Sequence, residues 1–253
     1  MSLHSGQFHD VVITADRVLR YPRTTAAAAE LPKRAALLER LAALNLGTAT
    51  PHPLSEIRPA PLGELHLVLS RIPGAPLTRA DVEAETDVVA RELARVLHAM
   101  SKVDKVDGVP EADPRRWSEF AEGVRSALFP LMSDAGRERA ERELAAVLAL
   151  DHVATGLVHG DLGGENVLWV DGPRLSGIVD WDEATIGDPA EDLAALTASY
   201  GAPLVTRIAT HLGEPAPQHR IAAYRGTFAL QQALAGALDG DDDERDDGLT
   251  EYR

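Results

Sequence analysis

The sequence predicts an α+β protein in two unequal parts, a small strand-rich N-terminal part and a larger, mainly helical C-terminal part. Three observations carry this. Short apolar and β-branched runs at residues 11–14, 17–21 and 65–70 all fall before residue 72. A Pro73-Gly74 breaker follows the last of them. Beyond residue 76, apolar residues recur at helical spacing almost to the end, interrupted by one hairpin pattern.

Taken in order, residues 11–14 and 17–21 read as a hairpin about Ala15-Asp16. Residues 33–44 read as an amphipathic helix, with Leu37, Leu38, Leu41 and Leu44 along one side. Residues 65–70 read as a strand. Three helical stripes follow: Val89, Leu93, Val96, Leu97 and Met100 within 86–100; Trp117, Phe120, Val124, Leu128 and Leu131 within 117–132; Leu144, Val147 and Leu148 within 137–150. Such stripes are core faces. Residues 166–170 and 175–179 are short apolar runs around Asp171-Gly172, a strong hairpin signal. Helices are expected around 193–200, 203–212 and 220–238. The tail, 239–253, is a run of acids and reads as solvated or disordered.

Composition bounds the function. The 253 residues suffice for two lobes with a real core. No run of eighteen apolar residues exists, so no membrane span is expected. No basic-then-apolar leader opens the chain, so a cytoplasmic location is the expectation. There is no Cys, which excludes disulfides and thiolate chemistry. A net charge of −15 disfavours nucleic acid as a partner, since that needs a basic face, and is compatible with a cationic small molecule.

One stretch, residues 157–193, carries the chemistry. His159-Gly160-Asp161 is followed five residues after the Asp by Asn166, and fourteen residues later by Asp180 in Asp180-Trp181-Asp182. The predicted hairpin brings its own start and end together, so Asp161, Asn166 and Asp180 can converge. Phosphoryl transfer needs such a set. One carboxylate orients the attacking hydroxyl and accepts its proton, while an amide oxygen and a second carboxylate hold Mg²⁺ against nucleotide phosphates.

The stretch resembles the aminoglycoside phosphotransferase and choline kinase family of small-molecule kinases, in its His-Gly-Asp-x-x-x-x-Asn, its Asp-Trp pair, and Gly187-Asp188-Pro189 with Asp192. The resemblance implies a two-lobed protein-kinase-like fold: a small antiparallel-sheet lobe at 1–72, a larger, mainly helical lobe at 73–253, and a hinge at about 70–75. It implies Mg²⁺-dependent transfer of the γ-phosphoryl group of ATP or GTP to a hydroxyl of a small molecule. An aminoglycoside-like antibiotic leads; a macrolide or a metabolic amino alcohol are alternatives, and a non-catalytic nucleotide-binding module is the alternative of another class. A monomer is expected. Asp161 would deprotonate the hydroxyl, with His159 packed beneath it as a positioning group. Asn166 and Asp180 would ligate Mg²⁺, and Asp182 would support them. The backbone of Ser70 and Ile72 would meet the base, and the loop at residues 5–10 would cover the phosphates. Asp239, Asp242 and Asp243 would bind an amine-bearing acceptor.

Two departures stand out. The lysines are Lys33, Lys102 and Lys105, and none lies in the first hairpin, where such kinases hold the phosphates with a Lys. Arg20 stands there instead, within an Arg-x-Pro-Arg run like that of macrolide kinases, and a planar fork of donors suits phosphate. On the next helix Arg34 occupies the place of the partner Glu, with Glu30 one turn upstream. Two arginines repel, so Arg20 and Arg34 are not expected to face each other.

Overall fold

The structure is a computed structural model that describes residues 2–5, by backbone alone, and 9–253. The expected phosphate-covering loop therefore falls partly outside the described residues, at 6–8. Strands β1 (Ser2–Ser5), β2 (His9–Ile13), β3 (Arg17–Pro22) and β4 (Leu67–Ser70) form one antiparallel sheet in that order. Val11 pairs with Arg20 across the β2–β3 hairpin.

Helix α1 (Thr25–Ala43) begins well before the leucine stripe does. Thr24 caps it, accepting from the Ala27 N–H at 3.1 Å. Alanines 26–29 favour helix but carry no periodicity, and Pro32 lies inside the helix, where it normally signals an end. Those two facts hid the first two turns.

Backbone hydrogen bonds hold both the small lobe and the end of the linker against residues 169–178. Ala75 and Trp169 exchange hydrogen bonds of 3.1 and 2.9 Å, and Ala49 accepts from Ile178 at 3.0 Å. Gly74, at φ 113°, lies so close to the Trp169 carbonyl that a side chain would not fit.

The large lobe contains α2 (Arg79–Ala84), α3 (Thr86–Met100), α4 (Arg116–Ala127), α5 (Asp134–Leu148), α6 (Ala190–Tyr200), α7 (Ala202–Leu212), α8 (Gln218–Asp239) and α9 (Asp242–Gly248). The expected helix at 117–132 stops early because Pro130 converts its end to a 3₁₀ turn, Phe129–Leu131. The short helix α2, set by a Thr78–Asp81 capping box, had no stripe to reveal it. Strand β5 (Gly156–Val158) pairs with β8 (Thr185–Gly187), and β6 (Val167–Val170) with β7 (Arg174–Ile178). Asp171 and Gly172 turn the second hairpin with φ of 50° and 81°, the left-handed pair that Asp-Gly supplies.

The acidic tail is not a loose one. It folds back as α9 and a 3₁₀ turn, Thr250–Tyr252, and seats Leu249 and Tyr252 in an apolar cluster with Val124, Leu128, Leu144 and Leu230. The acids face solvent; two apolar residues among them decide the outcome. The main cluster runs from Leu31, Leu41 and Leu67 of the small lobe through Val89 and Leu93 to Val167 and Ile178 of the β6–β7 hairpin.

Candidate active site

Strand β5 delivers the chain to His159, which is fully buried. Its Nε2 lies 2.9 Å from the Val179 carbonyl, and its Nδ1 accepts the Asp161 N–H at 3.2 Å. Those partners fix the tautomer with the proton on Nε2, donated to Val179. Burial holds the ring neutral, its pKa pushed down to about 4. His159 thus ties the end of β7 to the loop bearing Asp161. Trp181 packs against it at a tilt of 56°, ring centroids 4.7 Å apart.

Below the loop sits Asp192, in the first turn of α6 and 1% exposed. It accepts the His159 and Gly160 N–H groups at 2.9 and 3.1 Å. Burial pushes its carboxyl up, to about 7, and the two donors pull it back toward the charged form. Sequence reasoning included Asp192 in a motif without giving it this task. Gly160, at φ 87°, is required here: a Cβ would stand 2.5 Å from the Glu183 carbonyl.

The three predicted residues do come together. Asn166 Nδ2 donates to the Asp161 carbonyl at 2.8 Å and to its Oδ2 at 3.1 Å. The amide nitrogen faces the loop, which leaves Oδ1 of Asn166 as an acceptor. Val179 N–H donates to the Asn166 carbonyl at 2.9 Å, closing the hairpin ends. Asp180 follows in the left-handed region at φ 62°, with its carboxylate half exposed. Burial raises the Asp161 pKa; Asn166 opposes this and the Asp180 charge adds to it. The free amide oxygen and the carboxylate are hard donors that suit Mg²⁺, an ion that keeps several waters and takes its remaining ligands from phosphates. Among the described residues no three His, Asp or Glu side chains form a metal cage by themselves.

Above this loop the structure overturns one expectation. Arg20 and Arg34 do share a face, because Asp182 stands between them. Arg20 grips Asp182 through both nitrogens, at 2.7 and 3.3 Å, and Arg34 bonds the same carboxylate. Arg20 Nη1 also lies 3.7 Å from Asp180. Two arginine charges alone would repel; the Asp182 carboxylate is the third charge that offsets them. The carboxylate that pairs with the strand cation comes from residue 182, not from the helix. Glu30 instead pairs with Lys33 at 2.9 Å on the exposed side, so neither enters the site. Buried His9 adjoins the two guanidinium groups and is held down to about 4, by burial first and by Arg20 and Arg34 next.

Two of the remaining expected residues, Ser70 and Ile72, lie at the linker. Ser70 N–H is already donated to the His52 carbonyl at 2.9 Å, while Ile72 packs its side chain beside Gly177. Asp239, Asp242 and Asp243 line a surface cavity of about 420 Å³ together with Arg23, and no residue of 159–166 lines it. A different cavity, about 230 Å³, opens directly beside Gly160 and is lined by Glu183, Thr185, Glu191, Trp117 and Gln231. No spacing rule could have found it, because α4, α6 and α8 contribute to it from distant parts of the chain.

Comparison with known proteins places this geometry. Residues 4–232 match the sequence pattern described as the phosphotransferase enzyme family, APH. A viomycin phosphotransferase from Streptomyces vinaceus is 54% identical, over all of this chain and 92% of the relative. Among solved structures, the GDP and kanamycin complex of an APH(2″) enzyme superposes with a TM-score of 0.83 at 22% identity, covering 99% of this chain and 90% of that one. A type I macrolide 2′-phosphotransferase superposes at 0.77 with 21% identity, covering 99% and 90%. These neighbours share the two-lobed α+β fold. With the family pattern running through both lobes and one member sharing more than half of its residues, the chain belongs to the phosphotransferase enzyme family and transfers phosphoryl groups to small-molecule hydroxyls.

Proposed function

We propose that the enzyme phosphorylates a hydroxyl of a cationic antibiotic, with a viomycin-like molecule as the first acceptor to test, using ATP or GTP. The observation that carries the reading is the Asp161–Asn166–Asp180 convergence around one hairpin. Asp161 takes the hydroxyl proton as the new O–P bond forms; the bond from the γ-phosphorus to the bridging oxygen breaks, and a nucleoside diphosphate leaves. Asn166 Oδ1 and Asp180 would hold Mg²⁺, whose charge offsets that of the phosphates when it is bound. Arg20 reaches the phosphates from above, and Ile72 supplies backbone for the base. The cationic character of the acceptor is supported by the net charge of −15 and by Glu183 and Glu191 beside the catalytic loop. A cytoplasmic monomer without nucleic-acid partners completes the reading.

The test is incubation with viomycin, Mg²⁺ and either nucleotide, read by mass spectrometry for one added phosphoryl group. Asp161→Asn should lower kcat by about 10²–10⁴, the scale for a lost general base, with nucleotide binding little changed. Wild-type turnover in that variant removes Asp161 from the role.

A further inference from the structure

Arg116 opens α4 with its side chain turned into the cavity beside Gly160. One guanidinium nitrogen donates to Glu191, and the guanidinium carbon lies 4.4 Å from the centroid of the Trp117 ring. Phe120 meets Trp117 edge-on at 5.7 Å and Tyr224 lies tilted against it at 5.6 Å, so the indole is held in place. Glu191 is largely buried, its side chain 15% exposed, whereas Arg116 keeps 31% of its own open. The carboxylate belongs to the wall; the guanidinium can leave without opening the core. The neighbouring Arg115 contrasts with it, pairing with Asp113 at the exposed surface.

An aromatic face and a buried carboxylate are the two groups that select a planar cation over a compact, strongly hydrated ammonium. Here they are held by α4 and α6 and line the same cavity as Gly160, the residue next to Asp161. A second cavity, about 220 Å³, continues beyond the same Arg116, Trp117 and Glu191, so there is room for the guanidinium to swing aside.

We propose that Arg116 is an internal stand-in: in the free enzyme it fills a subsite built from Trp117 and Glu191 for a planar cation of the acceptor, and acceptor binding displaces it. The acceptor class is then a hydroxyl compound bearing a guanidinium or amidinium group. This rests on the phosphotransferase reading only in taking the Gly160 end of the cavity as the place of the hydroxyl.

The experiment needs no catalysis. The full chain, without nucleotide, is titrated with methylguanidinium and, separately, methylammonium at matched ionic strength, following indole fluorescence; Trp117→Phe identifies the responding ring. Saturable binding of methylguanidinium alone is expected. If Arg116 occupies the subsite about nine-tenths of the time, Arg116→Ala should tighten that binding about tenfold, because the internal competitor is gone. Glu191→Gln should abolish it. Unchanged or weaker binding by Arg116→Ala overturns the proposal, and so does equal binding of methylammonium. Should Glu191→Gln fail to fold by circular dichroism, the Arg116→Ala result decides alone. An enzyme that binds methylguanidinium this way yet phosphorylates no antibiotic would sink the functional reading and leave this one standing.

Discussion

Replacing Asp182 with Asn tests the arrangement above the catalytic loop. The side chains of Arg20, Asp182 and Arg34 are 13%, 17% and 26% exposed, so the three charges meet largely out of water. Removing one partner from a buried pair costs about 3–5 kcal/mol, chiefly through the charge left behind. Here Asp180 stays 3.7 Å from Arg20 and Arg34 is partly solvated, which trims the cost to about 2–3 kcal/mol. In a protein of this size each kcal/mol moves Tm by about 2–4 °C, so Asp182→Asn should melt about 4–12 °C lower. The nucleotide KM should rise as well, since Arg20 loses the group that aims it. The decisive variant is the double mutant Asp182→Asn, Arg34→Glu, which moves the carboxylate onto the helix facing Arg20. It should regain most of the lost Tm and KM. A double mutant no better than Asp182→Asn refutes the reasoning, since Asp182 would then matter for something other than its charge between two arginines.

Arg20→Ala should raise nucleotide KM or lower kcat far more than Arg17→Ala, because Arg17 pairs with Asp16 at the exposed end of the hairpin, and Arg20→Lys should retain part of the activity; a crippling Lys33→Ala beside a silent Arg20→Ala in the same steady-state assay would reverse the assignment. Asp180→Ala should remove the Mg²⁺ dependence of nucleotide binding and Asn166→Ala should weaken it, as calorimetric titration with and without the ion would show; equal dependence in wild type and Asp180→Ala rules the metal assignment out. His159, held down to about 4 from 6.5, stays neutral in the folded chain. Its contribution is complete above about pH 6.5 and is lost as pH falls toward 4, because only the unfolded chain takes up the proton, at up to about 1.4 kcal/mol per pH unit. Urea midpoints measured down that range should fall, and less steeply in His159→Gln; identical slopes would contradict it.

What the sequence made legible was local. His159, Asp161 and Asn166 sit within eight residues, and Asp171-Gly172 announces the turn that carries Asp180 to them. Turn chemistry and fixed offsets survive without tertiary knowledge. What stayed hidden was non-local or aperiodic. Asp182 reaches Arg20 and Arg34 across 162 and 148 residues, and pairwise charge logic misjudged a three-body contact. Arg116 meets Glu191 across 75 residues. The start of α1 was masked by alanines, whose propensity leaves no stripe. The order of the tail stayed hidden because its acids, solvated as expected, outnumber Leu249 and Tyr252, although burial of those two outweighs the exposed face around them.

The backbone stitches at Ala49 and Ala75, with the apolar cluster that runs through both lobes, bear on how such enzymes can be re-engineered. The small lobe is not a cassette. Cutting the chain at the hinge would bare Leu31, Leu41 and Leu67 on one side, and on the other take Ala49 away from Ile178. Gly74 and Gly177 add a steric lock, since each faces a carbonyl where a methyl group would collide. Chimeras that shuffle lobes between relatives must therefore rebuild a shared core as well as a junction. If the cavity lined by α4, α6 and α8 receives the acceptor as proposed, exchanging acceptor preference asks for far less: those residues can be varied in place, without touching the junction.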